Sequence, residues 1–263
     1  MNRLYFHNQQ HYGDCLISLD YLIGLSQSNN IECEFYCNPS YHSQLQELIS
    51  ENVNVFLSNS INQNSIDLWG AKLLHKVQEK YKDEYPLYCD NQPQYQDIFK
   101  LCFEMWKCLS KDLGLICPFN DKSQIMFDEH PISTVVNEKY DWLLVNSYCL
   151  SGQVRYSQQE QDNIFLEIIG KLKEKNKTFI TTHKLRDYPS TQDKNLSLVQ
   201  IAQLSKNCQV IMGVPTSPFW ISINKWSFEN CDKFINLTHD SCTYDLDNKF
   251  ITVSCLDDVL TCI

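Results

Sequence analysis

The sequence predicts an α/β protein made of two Rossmann-like halves, each a parallel sheet covered by helices, facing one another across a cleft. Three observations predict it. Short apolar runs of strand length alternate with longer segments of helical periodicity. That βαβα order starts afresh near the middle of the chain, the mark of parallel sheets with crossover helices. A polar stretch, FDEHPISTVVNEKY at 127–140, lies between the two series. The expected domains are residues 1–130 and 131–263.

Each element has a local reason. RLYFH (3–7) reads as a strand. The segment 15–28, apolar at 15, 16, 19, 22 and 23, reads as a helix. IECEFYC (31–37) alternates like a strand, 41–51 is helical, and NVNVFL (52–57) is a third strand. SIDLWGAKLLHKVQEKY (65–81) and the aromatic-rich 94–115 are read as two further helices. The second series opens with a buried strand, YDWLLVNSYC (140–149). Ser157 and Glu160 then have capping-box spacing at the head of a helix over 157–176. KTFITTH (177–183) is a strand. The helix 197–208 is capped by Ser197 or Asn195. QVIMGV (209–214) is a strand, SPFWISINKW (217–226) opens a helix, and 233–238 and 249–255 are late strands.

Composition narrows the function classes. The 263 residues are 43% hydrophobic, 21% charged and 12% aromatic, enough for a sizeable core. A net charge of −10 and a pI near 5.1 argue against nucleic acid as partner, whose backbone demands Lys and Arg. A local basic pocket for a phosphate ligand is compatible with that charge. The 13 cysteines are scattered on apolar runs without a CxxC pair, which reads as buried free thiols in a reducing, cytoplasmic setting. The start MNRLYFHNQQ has no signal-peptide core, and no apolar run approaches the ~20 residues that span a bilayer. An integral membrane segment is not expected; peripheral membrane contact stays open. Three glycosylation sequons, at Asn176, Asn195 and Asn236, are read as coincidence in an Asn-rich chain.

Three loops at expected strand ends carry the chemistry. Gly13-Asp14 follows the first strand: Gly13 permits a tight turn and close backbone approach, and Asp14 sits at the first helical turn. By itself Asp14 is better explained as an N-cap than as a catalytic group. No GxGxxG is present, which argues against a classical dinucleotide site. In the second half, Thr216 and Ser217 precede Pro218 at a helix start and offer hydroxyls and N–H groups to an anion; a plain capping turn explains them equally well. The buried strand ending at Asn146-Ser147 leads into a loop with Arg155, a natural partner for phosphate, or else a surface arginine. Asp245-Leu246-Asp247 has the form of a metal-binding DxD, but a β-turn is the simpler account. His7 and His11 at i and i+4 make a weak metal pair; His11 is better placed beside Asp14. His183, closing FITTH, is a candidate for the same cleft, against the commoner packing histidine.

In this order and spacing these pieces resemble the GT-B glycosyltransferases, most of all the ADP-heptose:lipopolysaccharide heptosyltransferase family. That family opens with a strand, a Gly-Asp loop and a helix, as HYGDCLISLDYL does. Arg155-Tyr156 occupies the place of a basic residue before an aromatic. Residues Ser197 to Gly213 match a helix of the form SLxxxAxLxxxCxxxxG, and Pro215-Thr216-Ser217 stands where the family has Asp-Thr-Gly. The family's Asp and Gly are absent there, and the chain is short for a two-domain enzyme of this type.

The resemblance implies a metal-independent, inverting transfer from a nucleotide-sugar donor to a glycan or glycolipid acceptor, with no cofactor. Asp14 would be the general base, with His11 beside it. Gly13 and Tyr12 would belong to the acceptor-side loop. Arg155, Thr216, Ser217, Ser147 and His183 would line the donor side. Two alternatives stay open: a non-catalytic GT-B-like protein that binds a glycan or a partner, favoured by the missing loop residues, and a sugar-nucleotide epimerase or hydrolase of the same fold.

Overall fold

The computed structural model describes residues 2–49, 53–69, 98–121, 136–149, 154–239 and 248–263, with 73, 75 and 79. The chain divides into two compact units, Met1–Met126 and Phe127–Ile263.

The first unit holds a parallel sheet of order β3-β2-β1-β4, with β1 Arg3–His7, β2 Glu32–Tyr36, β3 Val55–Ser58 and β4 Ile66–Asp67. Helix α1, Tyr12–Asn29, follows β1 and ends on Asn30 in the left-handed region (φ 50°), whose N–H reaches the carbonyl of Ser26. The segment read as helical from residue 65 begins as a strand. Ile66 and Asp67 pair with Phe6 and His7, because an open edge of β1 offers backbone partners that local helix propensity does not outweigh. Helix α1 is buried at Cys15, Leu16, Ile17, Leu19, Tyr21, Leu22 and Leu25, wider than one stripe. One side meets the sheet. Another meets helix α3, Ile98–Asp112, whose fully buried Trp106 stacks on Tyr21 at 5.0 Å while the Tyr21 hydroxyl bonds Ser110 at 2.9 Å. Between β2 and β3 a short helix, α2, spans His42–Gln46.

The second unit holds a parallel sheet of order β6-β5-β7-β8-β9, with β5 Tyr140–Val145, β6 Phe179–Thr181, β7 Cys208–Gly213, β8 Lys233–Leu237 and β9 Phe250–Val253. Strand alternation splits its core. Trp142, Leu144, Met212, Ile235 and Leu237 pack with Ile164, Phe165, Ile168, Ile169 and Leu172 of α4 (Gln158–Glu174) and with Val259 of α8 (Leu256–Cys262). Helices α5 (Leu198–Ser205), α6 (Ser217–Ser222) and α7 (Lys225–Asn230) contact β7. Gly213 is needed by contact: a Cβ there would lie 2.4 Å from the Val145 Cβ.

The Ser157–Glu160 capping box forms as expected, and Ser197, not Asn195, caps α5 with Gln200 in the same reciprocal pattern. The helix expected over 217–226 is broken in two at Ile223-Asn224. Asn224 is fully buried, caps α7, and sends its amide to the carbonyls of Ala202 and Ile221. Helix α8 was not expected; the apolar spacing of its seven residues is too short to separate from the strand before it. Asn236, one of the sequon residues, is fully buried on β8. The proposed join at 127–140 lies mostly outside the described residues, as does Asp245-Leu246-Asp247.

Candidate active site

In the first unit the site begins with Asn8, directly after β1. It is fully buried, and its amide donates to the Asp14 carbonyl at 3.1 Å and to the Ser18 hydroxyl at 2.8 Å. Its side-chain oxygen accepts from the Gln10 N–H at 2.9 Å, and its own N–H reaches the Tyr36 carbonyl at 3.0 Å. An Asx turn therefore reverses the chain, and it fastens the start of α1 to the sheet. This corrects two expectations. The turn is made at Asn8–Gln10, so Gly13 and Tyr12 lie in the first helical turn and not in a loop; among the described glycines only Gly114 has a positive φ. Asp14 is the third helical residue, and the N-cap is His11, which makes no side-chain capping bond.

Asp14 is half-buried, and burial pushes its carboxyl up to about 6. The His11 imidazole and the backbone N–H groups of His11 and Asp14 pull the other way. His11 itself is exposed. The Tyr12 ring lies 4.7 Å from that of Tyr41, in the turn after β2, and its hydroxyl is buried with no partner. Burial raises the Tyr12 phenol, so it stays protonated. His7 is turned elsewhere: its Nδ1 bonds the Ser65 hydroxyl at 2.9 Å and its Nε2 lies 3.9 Å from Asp67. Among the described residues no group of three or more His, Cys, Asp or Glu is arranged to hold a metal ion.

In the second unit every donor-side candidate sits at the carboxyl edge of the sheet, where open α/β sheets bind ligands. Ser147 is buried, and its hydroxyl bonds that of Thr182 at 3.1 Å. With Asn146, which binds the backbone of His183 through both ends of its amide, it ties the end of β5 to the end of β6. Gln161 of α4 braces the same turn by donating to the carbonyls of Asn146 and Ser147. Thr216 is the N-cap of α6, but its hydroxyl donates to the Val214 carbonyl at 3.3 Å instead of capping. Ser217 and Pro218 form the first turn of α6. The Cys149 thiol reaches the Pro215 carbonyl at 3.6 Å, joining the loops after β5 and β7.

Arg155 is exposed, yet its backbone is fixed. Its N–H donates to His239 Nδ1 at 3.1 Å, Val154 before it is buried, and Tyr156 after it donates to the Ser254 carbonyl at 3.0 Å. The Tyr156 and His239 rings meet edge to face at 4.4 Å. Arg155 takes no part in the ion pairs among the described residues. His183 lies at the end of β6 and Arg155 beside the end of β8. The three strand spacings between these ends, roughly 14 Å, keep them from gripping one phosphate. His183 instead neighbours Asp162 of α4, whose carboxyl burial raises.

Asn8 and His239 escaped the sequence reading. Asn8 was legible, since Asn directly after a strand is a turn signal. His239 was not, because its partner is 84 residues away.

No protein-family model and no curated protein matches the sequence. Solved structures do match. A glycosyl transferase family 9 protein from Veillonella parvula is similar with a TM-score of 0.54 at 10% identity, covering 99% of this chain and 88% of that one. The Escherichia coli heptosyltransferase WaaC, solved with ADP-2-deoxy-2-fluoro heptose, matches at 0.54 and 9% identity, over 95% of this chain and 92% of that one. The chain has the GT-B fold. The dodecameric, iron-containing glycosyltransferase TibC of enterotoxigenic E. coli also matches, at 0.55 and 12% identity, over 97% of this chain and 63% of that one. The two parallel sheets, of four and five strands, match the fold of these heptosyltransferase structures. Among the described residues no helix is long and apolar enough to cross a membrane.

Proposed function

We propose that the protein is a glycosyltransferase that moves a sugar from a nucleoside-diphosphate donor to a glycan or glycolipid hydroxyl with inversion. The observation that carries this reading is Asp14: a carboxyl pushed up to about 6, on a backbone that Asn8 holds at the carboxyl edge of the first sheet of a GT-B fold. At neutral pH it is ionised, yet more basic than an ordinary aspartate, as a general base requires. Asp14 takes the acceptor proton as the acceptor oxygen attacks the anomeric carbon. The bond from that carbon to the diphosphate breaks, and its electron pair leaves with the diphosphate. Arg155 offers a planar, permanently charged fork to those phosphate oxygens, with its backbone held in advance. Charge developing on the leaving group is met by fixed protein groups, with no metal required. Thr216 and Ser217 belong to the same donor edge.

Binding is the test. The protein is titrated with ADP, GDP, UDP and dTDP and the corresponding nucleotide sugars while its unfolding midpoint is followed. A ligand at a hundred times its dissociation constant adds about 2.7 kcal/mol to the native state, and the midpoint rises by several degrees at roughly 2–4 °C per kcal/mol. A rise confined to one base names the donor; no rise with any of them removes the donor reading. One observation favours a second reading, a non-catalytic binder of glycans or partners: the Thr216 hydroxyl is spent on its own backbone, in a loop lacking the Asp and Gly of the heptosyltransferases. Such a protein need not bind a nucleoside diphosphate. A hydrolase or epimerase of the same fold consumes the nucleotide sugar with no acceptor present.

A further inference from the structure

We infer that His239 is a positioning residue that locks Arg155 for anion binding; the functional part of this inference rests on the donor-site reading above. Two contacts converge on it, and a third anchors the strand end it follows. Its Nδ1 accepts the Arg155 N–H at 3.1 Å, its ring meets Tyr156 at 4.4 Å, and it follows directly on the β8 edge through Thr238, whose N–H bonds the Val253 carbonyl at 2.9 Å. Because Nδ1 is an acceptor here, the neutral ring carries its proton on Nε2. The imidazole therefore spans a loop 84 residues away and fixes the backbone from which the guanidinium projects. A long cationic side chain loses much freedom when it closes on a ligand. A backbone already immobile lowers that cost, so the clamp raises affinity without touching the anion. In a protein of net charge −10 a cation held this way concentrates binding at one point.

The test uses the full chain and five variants, His239→Ala, His239→Asn, His239→Phe, Arg155→Ala and the double variant His239→Ala/Arg155→Ala. Trypsin cuts after arginine, so cleavage at Arg155–Tyr156 reports release of the loop without any ligand; it is read by mass spectrometry against cleavage after Lys171 and Lys206 in the same digest. His239→Ala is expected to raise the Arg155 cut about tenfold over the reference cuts, the effect of losing one hydrogen bond and one ring contact. His239→Asn, whose Oδ1 stands near the Nδ1 position, recovers part of the protection; His239→Phe keeps the ring but not the acceptor and recovers less than Asn. In parallel, binding of ADP, GDP, UDP and dTDP weakens about tenfold in His239→Ala, and the double variant with Arg155→Ala binds no more weakly than Arg155→Ala alone. Selective cleavage in a protein that binds none of the four diphosphates leaves the clamp standing and removes the donor-site reading. Weaker binding without selective cleavage makes His239 a direct ligand contact and overturns the positioning role. Equal acceleration of all cuts, or no change in either readout, overturns it as well.

Discussion

At the carboxyl edge of the first sheet a carboxyl is drawn inward; at that of the second an arginine is held outward. Asp14 is half-buried, and desolvation raises its pKa to about 6. Arg155 is exposed, and only its backbone is tied down, by His239 and by the neighbours Val154 and Tyr156. The difference follows from what each group would do in a transfer reaction. A general base gains from desolvation, which makes it hold a proton more tightly. A phosphate clamp gains from staying charged and reachable, so its rigidity must come from the main chain. The two edges also differ in reach. Asn8 orders Asp14 from six residues away, whereas His239 orders Arg155 from 84.

The comparison breaks most visibly at Asp14. Asp14→Asn is expected to lower the turnover of sugar transfer by about 10²–10⁴-fold while leaving nucleoside-diphosphate binding within twofold of the parent; full activity in this variant would falsify its role as the base. A bond that the side chain does not supply, Asn8 to the Asp14 carbonyl, keeps the helix start in place in that variant.

Stability should carry the signature of the buried carboxyl. The native pKa of about 6 exceeds the unfolded value of 3.8, so the native state keeps a proton that the unfolded chain has lost. The contribution is therefore largest below pH 3.8, falls as pH rises from 3.8 to 6, and stays level above. At about 1.4 kcal/mol per pH unit the interval is worth at most about 3 kcal/mol. Urea midpoints at pH 4 and pH 7 check it: Asp14→Asn should be more stable than the parent at pH 7, and the gap should close at pH 4. The same titration makes kcat/KM fall about tenfold per pH unit below pH 6.

Arg155→Ala sharpens the other side. Removing a charge-assisted contact of about 1.5–3 kcal/mol should weaken diphosphate binding roughly 10–100-fold with no change in the unfolding midpoint, since the guanidinium supports none of the ion pairs of the described fold. Unchanged calorimetric affinity would move the anion site elsewhere. The smallest effect is expected at Ser157→Ala, which removes the cap of the helix behind Arg155. It should cost about 1 kcal/mol of stability, seen as a drop of a few degrees in the midpoint, and leave the Arg155–His239 bond and diphosphate affinity intact.

Much of this molecule was legible in its sequence because much of it is local. The alternating ECEFY and the apolar run of YDWLLV became strands, and Ser157–Glu160 and Ser197–Gln200 formed their boxes, because each depends on residues within one helical turn or one strand. What escaped was non-local. Ile66-Asp67 became a strand through pairing with β1, the helix after Ser217 broke where Asn224 is buried against α5, and the chain turned at Asn8 and not at Gly13.

By itself, then, the sequence determined the α/β class and the two series of elements, and it supplied the carboxylate and the arginine that the proposed function uses, since backbone propensity and side-chain chemistry travel with each residue. The tertiary structure alone decided that Asp14 is desolvated enough to hold a proton near pH 6, and that Arg155 is braced by a histidine far along the chain. Burial and long-range hydrogen bonds are properties of what the folded chain brings together, and no local window of residues contains them.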